Sequence, residues 1–133
     1  MIQTDHSEVT VAVNSTHPGT TSGANRVVPS QYAVQAAIEL ALANVEVATT
    51  RVEDYAPAAP FDVVVSRAYS DLASFAAAGL PRLAPGGTLV AMKGALPHEE
   101  LAQLPPEVRV VATPALLVPG LAAERHLVIM ERA

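Results

Sequence analysis

Two short runs do most to decide what this chain can fold into. Phe61-Asp62-Val63-Val64-Val65 and Thr88-Leu89-Val90-Ala91-Met92 are apolar or β-branched at successive positions rather than at alternate ones. A strand with one face in water alternates apolar and polar residues. A run without alternation suits a strand buried on both faces, as in a parallel sheet covered by helices. Between the runs, Ser70 and Asp71 start a helix with Leu72, Phe75, Ala76, Gly79 and Leu80 on one face, and Pro81 ends it. Gly86-Gly87 then turns the chain into the second strand. Strand, helix and strand in this order make a parallel crossover unit.

The remaining elements extend the pattern. Ser30 can cap a helix over residues 31–42, with Val34, Ala37, Ile38 and Ala41 forming one apolar stripe toward a sheet. Asn44 is expected to end it, and residues 45–48 read as a short strand. Pro97 fits a first helical turn, with Glu99 and Glu100 favourable at that end of the dipole, and Pro105-Pro106 stop this short helix. Strands near Val108–Ala112 and residues 126–131 close the chain. No crossover helix separates them, so this final pair is expected to be antiparallel. Before residue 30, Glu8–Val13 is Val-rich enough for a short strand, and residues 14–25 read as a polar, turn-rich loop. The expected organisation is an irregular segment over residues 1–30 and a partial α/β domain over residues 31–133.

Composition narrows the function classes. There is no cysteine, which excludes disulfides and thiolate metal sites or nucleophiles. His6, His17 and His98 share no ligand spacing, so no metal is expected. No apolar run approaches the roughly 18 residues of a membrane span, and a cytoplasmic location is the expectation. The net charge is −5, from 8 Lys and Arg against 13 Asp and Glu. A nucleic-acid partner held through phosphates must then be met by a local basic patch, for which Arg67, Arg82 and Lys93 are the candidates.

A series of short motifs in fixed order is more specific. Residues 44–53 (Asn-Val-Glu-Val-Ala-Thr-Thr-Arg-Val-Glu) precede Phe61-Asp-Val-Val-Val-Ser-Arg-Ala68. Leu83-Ala-Pro-Gly-Gly-Thr-Leu-Val-Ala-Met-Lys-Gly94, Glu99-Glu-Leu101 and Val118-Pro-Gly-Leu-Ala-Ala-Glu-Arg-His-Leu-Val128 follow. Pro-Gly-Gly alone is common to many methyltransferases. Together, the motifs resemble the C-terminal part of the bacterial small-subunit ribosomal RNA guanine-N7 methyltransferases, also called glucose-inhibited division protein B. The resemblance covers about 100 residues. It implies a Rossmann-like, class I methyltransferase sheet with an antiparallel final strand pair, and S-adenosylmethionine as cofactor. It also implies methyl transfer to a guanine N7 of small-subunit (16S) ribosomal RNA. Guanine N7 is an exposed lone pair with no proton to remove, so positioning and desolvation suffice without a dedicated base, and no catalytic residue is assigned.

Carried over by position, the resemblance places Val52 and Glu53 along the adenosine part of the cofactor. It places Arg67 at the end of a parallel strand, against the cofactor carboxylate or the RNA, and Lys93 on the same rim against an RNA phosphate. Plainer readings stand beside these. Glu53 is also a first-turn acid, Arg67 a partner for Asp62 or Asp71, and Lys93 an ordinary strand-end lysine. Arg125 and His126 read as residues that pin the last strand to its neighbour.

The sequence departs from the family at its front. No Gly-x-Gly-x-Gly follows a first strand, because Gly19 and Gly23 lie in the polar loop. No acid stands where the family grips the ribose, since the segment Glu8–Val13 ends at Asn14. The sheet is therefore expected to be truncated on its N-terminal side, with exposed edges that favour self-association. The alternative to an enzyme is a catalytically incompetent remnant of the same family.

Overall fold

The computed structural model describes residues 2–5, 8–13, 30–42, 45–49, 52–67 and 71–133. The expected loop over residues 14–25, with Asn14, Gly19 and Gly23, lies outside them, as do His6, Asn44 and Ser70. The chain divides into two compact units, Met1–Ala58 and Ala59–Ala133.

In the first unit, strands β1 (Ile2–Asp5), β2 (Glu8–Val13) and β3 (Val45–Thr49) form a sheet in the order β1-β2-β3. β1 is antiparallel to β2 in a hairpin register, Ile2 facing Val11 and Asp5 facing Glu8. β2 and β3 are parallel, with Val9 facing Val45 and Val13 facing Thr49. Helix α1 (Ser30–Glu39) lies between those two strands in sequence, as a parallel pair requires.

Two expectations for α1 are corrected. It ends at Glu39, well before Asn44, because the next residues satisfy its last carbonyls. The Leu42 amide donates to Ala37 O at 2.9 Å and the Ala41 amide to Ile38 O at 3.1 Å. That pair of bonds is the Schellman arrangement, and Ala41 takes its left-handed position at φ 52°. The stripe is also less covered than expected: Val34 and Ile38 are exposed and Ala37 is half-buried. Within the unit α1 lies chiefly against β3, so one strand rather than a full sheet faces its stripe.

The second unit is built on β4 (Phe61–Arg67), β5 (Leu83–Lys93), β6 (Val108–Ala112) and β7 (His126–Arg132), in the order β4-β5-β7-β6. β4 and β5 are parallel, and β7 is antiparallel to both β5 and β6. This is the mixed sheet expected from sequence, with the antiparallel turn-back at its end. Helix α2 (Leu72–Gly79) crosses from β4 to β5. Asp71 caps it, Oδ1 accepting from the Ser74 amide at 2.7 Å and Oδ2 from the Ser74 hydroxyl at 2.8 Å. A 3-10 turn, Leu80–Arg82, carries Pro81 and ends the helix where expected.

The core sits between α2 and the sheet. Leu72, Phe75, Ala76 and Gly79 are buried, as the stripe predicted, as are Phe61, Val64, Leu83, Leu89, Val128 and Met130 of the sheet, and Gly79 lies against Leu89 and Val64. Leu80, the last stripe residue, is only half-buried.

Pro-Gly-Gly is not the turn before β5 that the sequence suggested. It lies inside the strand, as an irregular stretch over residues 84–87. Phe61 faces Leu83, yet Val63 already faces Thr88. Gly86 stands at φ 76°, and a Cβ on Gly87 would lie 2.9 Å from the Asp62 carbonyl oxygen. The first glycine supplies the backbone angle and the second the clearance. No helix among the described residues is long and apolar enough to cross a membrane.

Candidate functional site at the carboxyl ends of the strands

Parallel strands end on the same edge, and open α/β sheets bind ligands outside that edge. In the second unit the edge is marked by Arg67 and Lys93. Arg67 is the last residue of β4 and faces Met92 of β5, one residue before Lys93. β7 runs the other way, so its first residue, His126, lies there too, facing Lys93. Adjacent strands are about 4.8 Å apart. Arg67, Lys93 and His126 therefore lie on three neighbouring strands at one end of the sheet.

Their environments differ. Arg67 is exposed. The plainer partners considered for it are otherwise placed: Asp71 holds the start of α2, and Asp62, near the other end of β4, is exposed. Lys93 is largely covered, its side chain 15% exposed, and Nζ lies 2.7 Å from Glu100 Oε2. Glu100 belongs to α3 (His98–Ala102), the short helix after β5, in which Pro97 is the N-cap rather than the first-turn residue expected. The same Oε2 also accepts the Leu72 amide at 2.9 Å. One carboxylate oxygen thus joins the end of β5, α3 and the first turn of α2.

His126 Nδ1 lies 2.8 Å from Gly94 O and donates to it when that nitrogen carries the proton. The Arg125 guanidinium donates to Glu124 O at 2.7 Å. His126 does tie the last strand to its neighbour, as the sequence suggested. The loop before β7 is drawn to the same end of the sheet. The Leu116 amide donates to Arg125 O at 2.7 Å and the Leu127 amide to Pro114 O at 3.0 Å.

Arg82 is a correction. It precedes β5 and so lies at the amino end of the strand, opposite Lys93, donating to Ala78 O at 2.8 Å. An arginine on the far side of an 11-residue strand cannot share a ligand with the rim. Glu100 is the residue that sequence reasoning undervalued. It read as a first-turn acid, and its spacing of seven from Lys93 is a weak hint. Its second partner is 28 residues away and leaves no local trace.

In the first unit, β3 is followed by a 3-10 turn, Val52–Asp54. The Tyr55 amide closes it on Val52 O at 3.2 Å, and the Val52 side chain is buried. Glu53 holds the middle of the turn by its backbone; its side chain lies outside the described residues. The turn follows the carboxyl end of β3, which is parallel to β2, so its place agrees with the ligand-binding edge of an open sheet.

Residues 30–128 match the model of the GidB family, rRNA small subunit methyltransferase G. Ribosomal RNA small subunit methyltransferase G of Aromatoleum aromaticum is 50% identical over 103 residues, covering 77% of this chain and 49% of the relative. The protein of the same name from Laribacter hongkongensis is 54% identical over 94 residues, covering 71% and 45%. The chain therefore spans about half the length of the curated relatives it matches. Among solved structures, a putative methyltransferase from Thermoplasma acidophilum aligns over 94% of this chain and 57% of its own, with a TM-score of 0.64 and 12% identity. TrmN from Thermus thermophilus aligns over 77% and 33%, with a TM-score of 0.60 and 16% identity. These distant likenesses establish the Rossmann-like methyltransferase fold. The motif series from Val52-Glu53 to Glu124-Arg125-His126 lies inside the matched span, and on that ground the chain belongs to the rRNA small subunit methyltransferase G family.

Proposed function

We propose that this chain serves methyl transfer from S-adenosylmethionine to guanine N7 of small-subunit ribosomal RNA. The family supports the reaction. The structural observation that carries the reading is the rim of the second unit, where Arg67 ends β4 exposed, beside Lys93 at the end of β5. An exposed arginine at the carboxyl end of parallel strands suits an anionic ligand, in a chain whose overall charge does not.

The cofactor's sulfonium supplies an electrophilic methyl group. The residues present fit its adenosine end. In the first unit, Val52 offers an apolar wall and backbone groups, and the Glu53 carboxylate is an acceptor suited to the adenine amino group. Arg67 is assigned an anion, the cofactor carboxylate or an RNA phosphate, and Lys93 a hydrogen bond to an RNA phosphate, its charge offset by Glu100. The sequence holds no Gly-x-Gly-x-Gly to approach the rest of the cofactor, so the assignment stops at these positions. A cytoplasmic place of action follows from the ribosomal substrate. The comparisons give no support to association of copies through a sheet edge.

Calorimetric titration of the purified chain with S-adenosylmethionine tests this reading. Saturable binding is expected, weakened by Glu53→Ala. Weakening by Arg67→Ala as well would assign the arginine to the cofactor carboxylate. An unchanged titration would leave it to the RNA. No heat up to millimolar cofactor, from chain shown to be folded, would overturn the cofactor assignment.

A further inference from the structure

Glu100 ties the end of β5 to the start of α2 beside the basic rim. Its Oε2 receives the Lys93 ammonium at 2.7 Å and the Leu72 amide at 2.9 Å. The first contact fixes the lysine that ends β5. The second fixes the first residue of α2. The Lys93 and Glu100 side chains are only 15% and 30% exposed, so the pair is less screened than an ordinary surface pair. While it holds, Lys93 adds no net charge to the rim.

We propose that Glu100 is a positioning residue for the RNA-binding rim. It orients Lys93 through one oxygen that also holds the start of α2, and it balances the lysine's charge so that RNA reads Arg67 as the dominant cation. This rests on the reading above that the rim meets RNA phosphates. Both hydrogen bonds fall on a single oxygen, and an amide oxygen also has two lone pairs. Glu100→Gln can therefore keep both bonds while removing the charge, which separates the electrostatic role from the structural one.

The test is binding of the full chain to a protein-free, single-stranded fragment of 16S ribosomal RNA across a salt series. Each phosphate neutralised on a single strand contributes a slope of about −0.7 to log K against log salt. With Glu100→Gln, Lys93 counts in full. The slope is expected to steepen by about that amount, so a fourfold rise in salt weakens binding roughly 2.5-fold more than in the wild type. Lys93→Met leaves Glu100 bare and should shift the slope the opposite way, which keeps the proposal testable if the glutamine variant does not fold. The double variant Lys93→Met/Glu100→Gln should return to the wild-type slope. A purely structural Glu100 would leave the slope unmoved in Glu100→Gln, and that result overturns the proposal if the wild type binds and Arg67→Ala weakens it. Wild-type binding that is insensitive to salt and to Arg67→Ala overturns the rim reading itself, and this proposal with it.

Discussion

Ala41 holds a backbone angle that its side chain opposes. Its φ of 52° is the left-handed position of the Schellman motif that ends α1, a place usually taken by glycine. An L-residue there costs about 1–2 kcal/mol. Glycine avoids that cost, although its freer unfolded chain gives back about 0.4–1 kcal/mol. Ala41→Gly should therefore stabilise the chain by roughly 0.5–1 kcal/mol, read as a higher denaturant midpoint at unchanged slope. A lower midpoint would show that α1 does not end in this way in solution. This strain was not legible from the residues alone, since an apolar alanine in register with Val34, Ala37 and Ile38 looks like a further stripe residue. Lys93 carries the same lesson. Its position at the rim was legible from the Met-Lys-Gly that ends β5. Its engagement by Glu100 was not, because that depends on where α3 meets the start of α2.

At the scale of elements, the second unit depends on how closely α2 lies against the sheet. Gly79 makes that approach possible, since a Cβ there would stand 2.7 Å from Leu89 Cδ2 and 3.5 Å from Val64 Cγ1. The leucine methyl ends a side chain and could move if it had room. Leu89 is fully buried, however, and its other methyl is only 3.7 Å from the same point. Overpacking of this kind costs about 1–3 kcal/mol. Alanine recovers at most about 1 kcal/mol as a helix former, and less at the last residue of a helix. Gly79→Ala should therefore lower the thermal midpoint by several degrees while leaving the helix content seen by circular dichroism intact. A variant as stable as the wild type would mean that α2 stands further from β4 and β5. The stripe containing Gly79 was readable because α2 has one buried face and the 3.6-residue period records it. The irregular stretch in β5 was misread because Gly-Gly signals a special backbone angle equally well in a turn or within a strand. Only the facing strand decides, through the approach of Asp62 O to Gly87.

For the whole molecule, the issue is how a chain with a net charge of −5 would meet the RNA of the proposed function. The cations are distributed unevenly. Arg67, Lys93 and Arg125 lie at the carboxyl end of the second sheet. Arg82 caps Ala78 O at the other end, Arg109 pairs with Glu131 at 3.0 Å, and Arg132 donates to Leu80 O. Arg26 and Arg51 lie outside the described residues. With Lys93 balanced by Glu100, Arg67 and Arg125 are the cations left at the rim, among the described residues, for the proposed phosphate contacts. Binding to single-stranded RNA should then follow a salt slope near −1.4, about 0.7 for each phosphate. Arg67→Ala should reduce the slope by about half, whereas Arg82→Ala and Arg109→Ala should leave it unchanged, because neither lies at the rim. A much steeper wild-type slope would mean that RNA engages a broader basic surface than this sheet edge provides. A slope that falls equally in Arg82→Ala would mean that the carboxyl edge has no privileged role. So shallow a dependence also implies weak binding to unrelated RNA, since non-specific affinity is almost wholly counterion release. Selectivity for the ribosomal target would then rest on the shape of the site and the placement of a few groups rather than on charge.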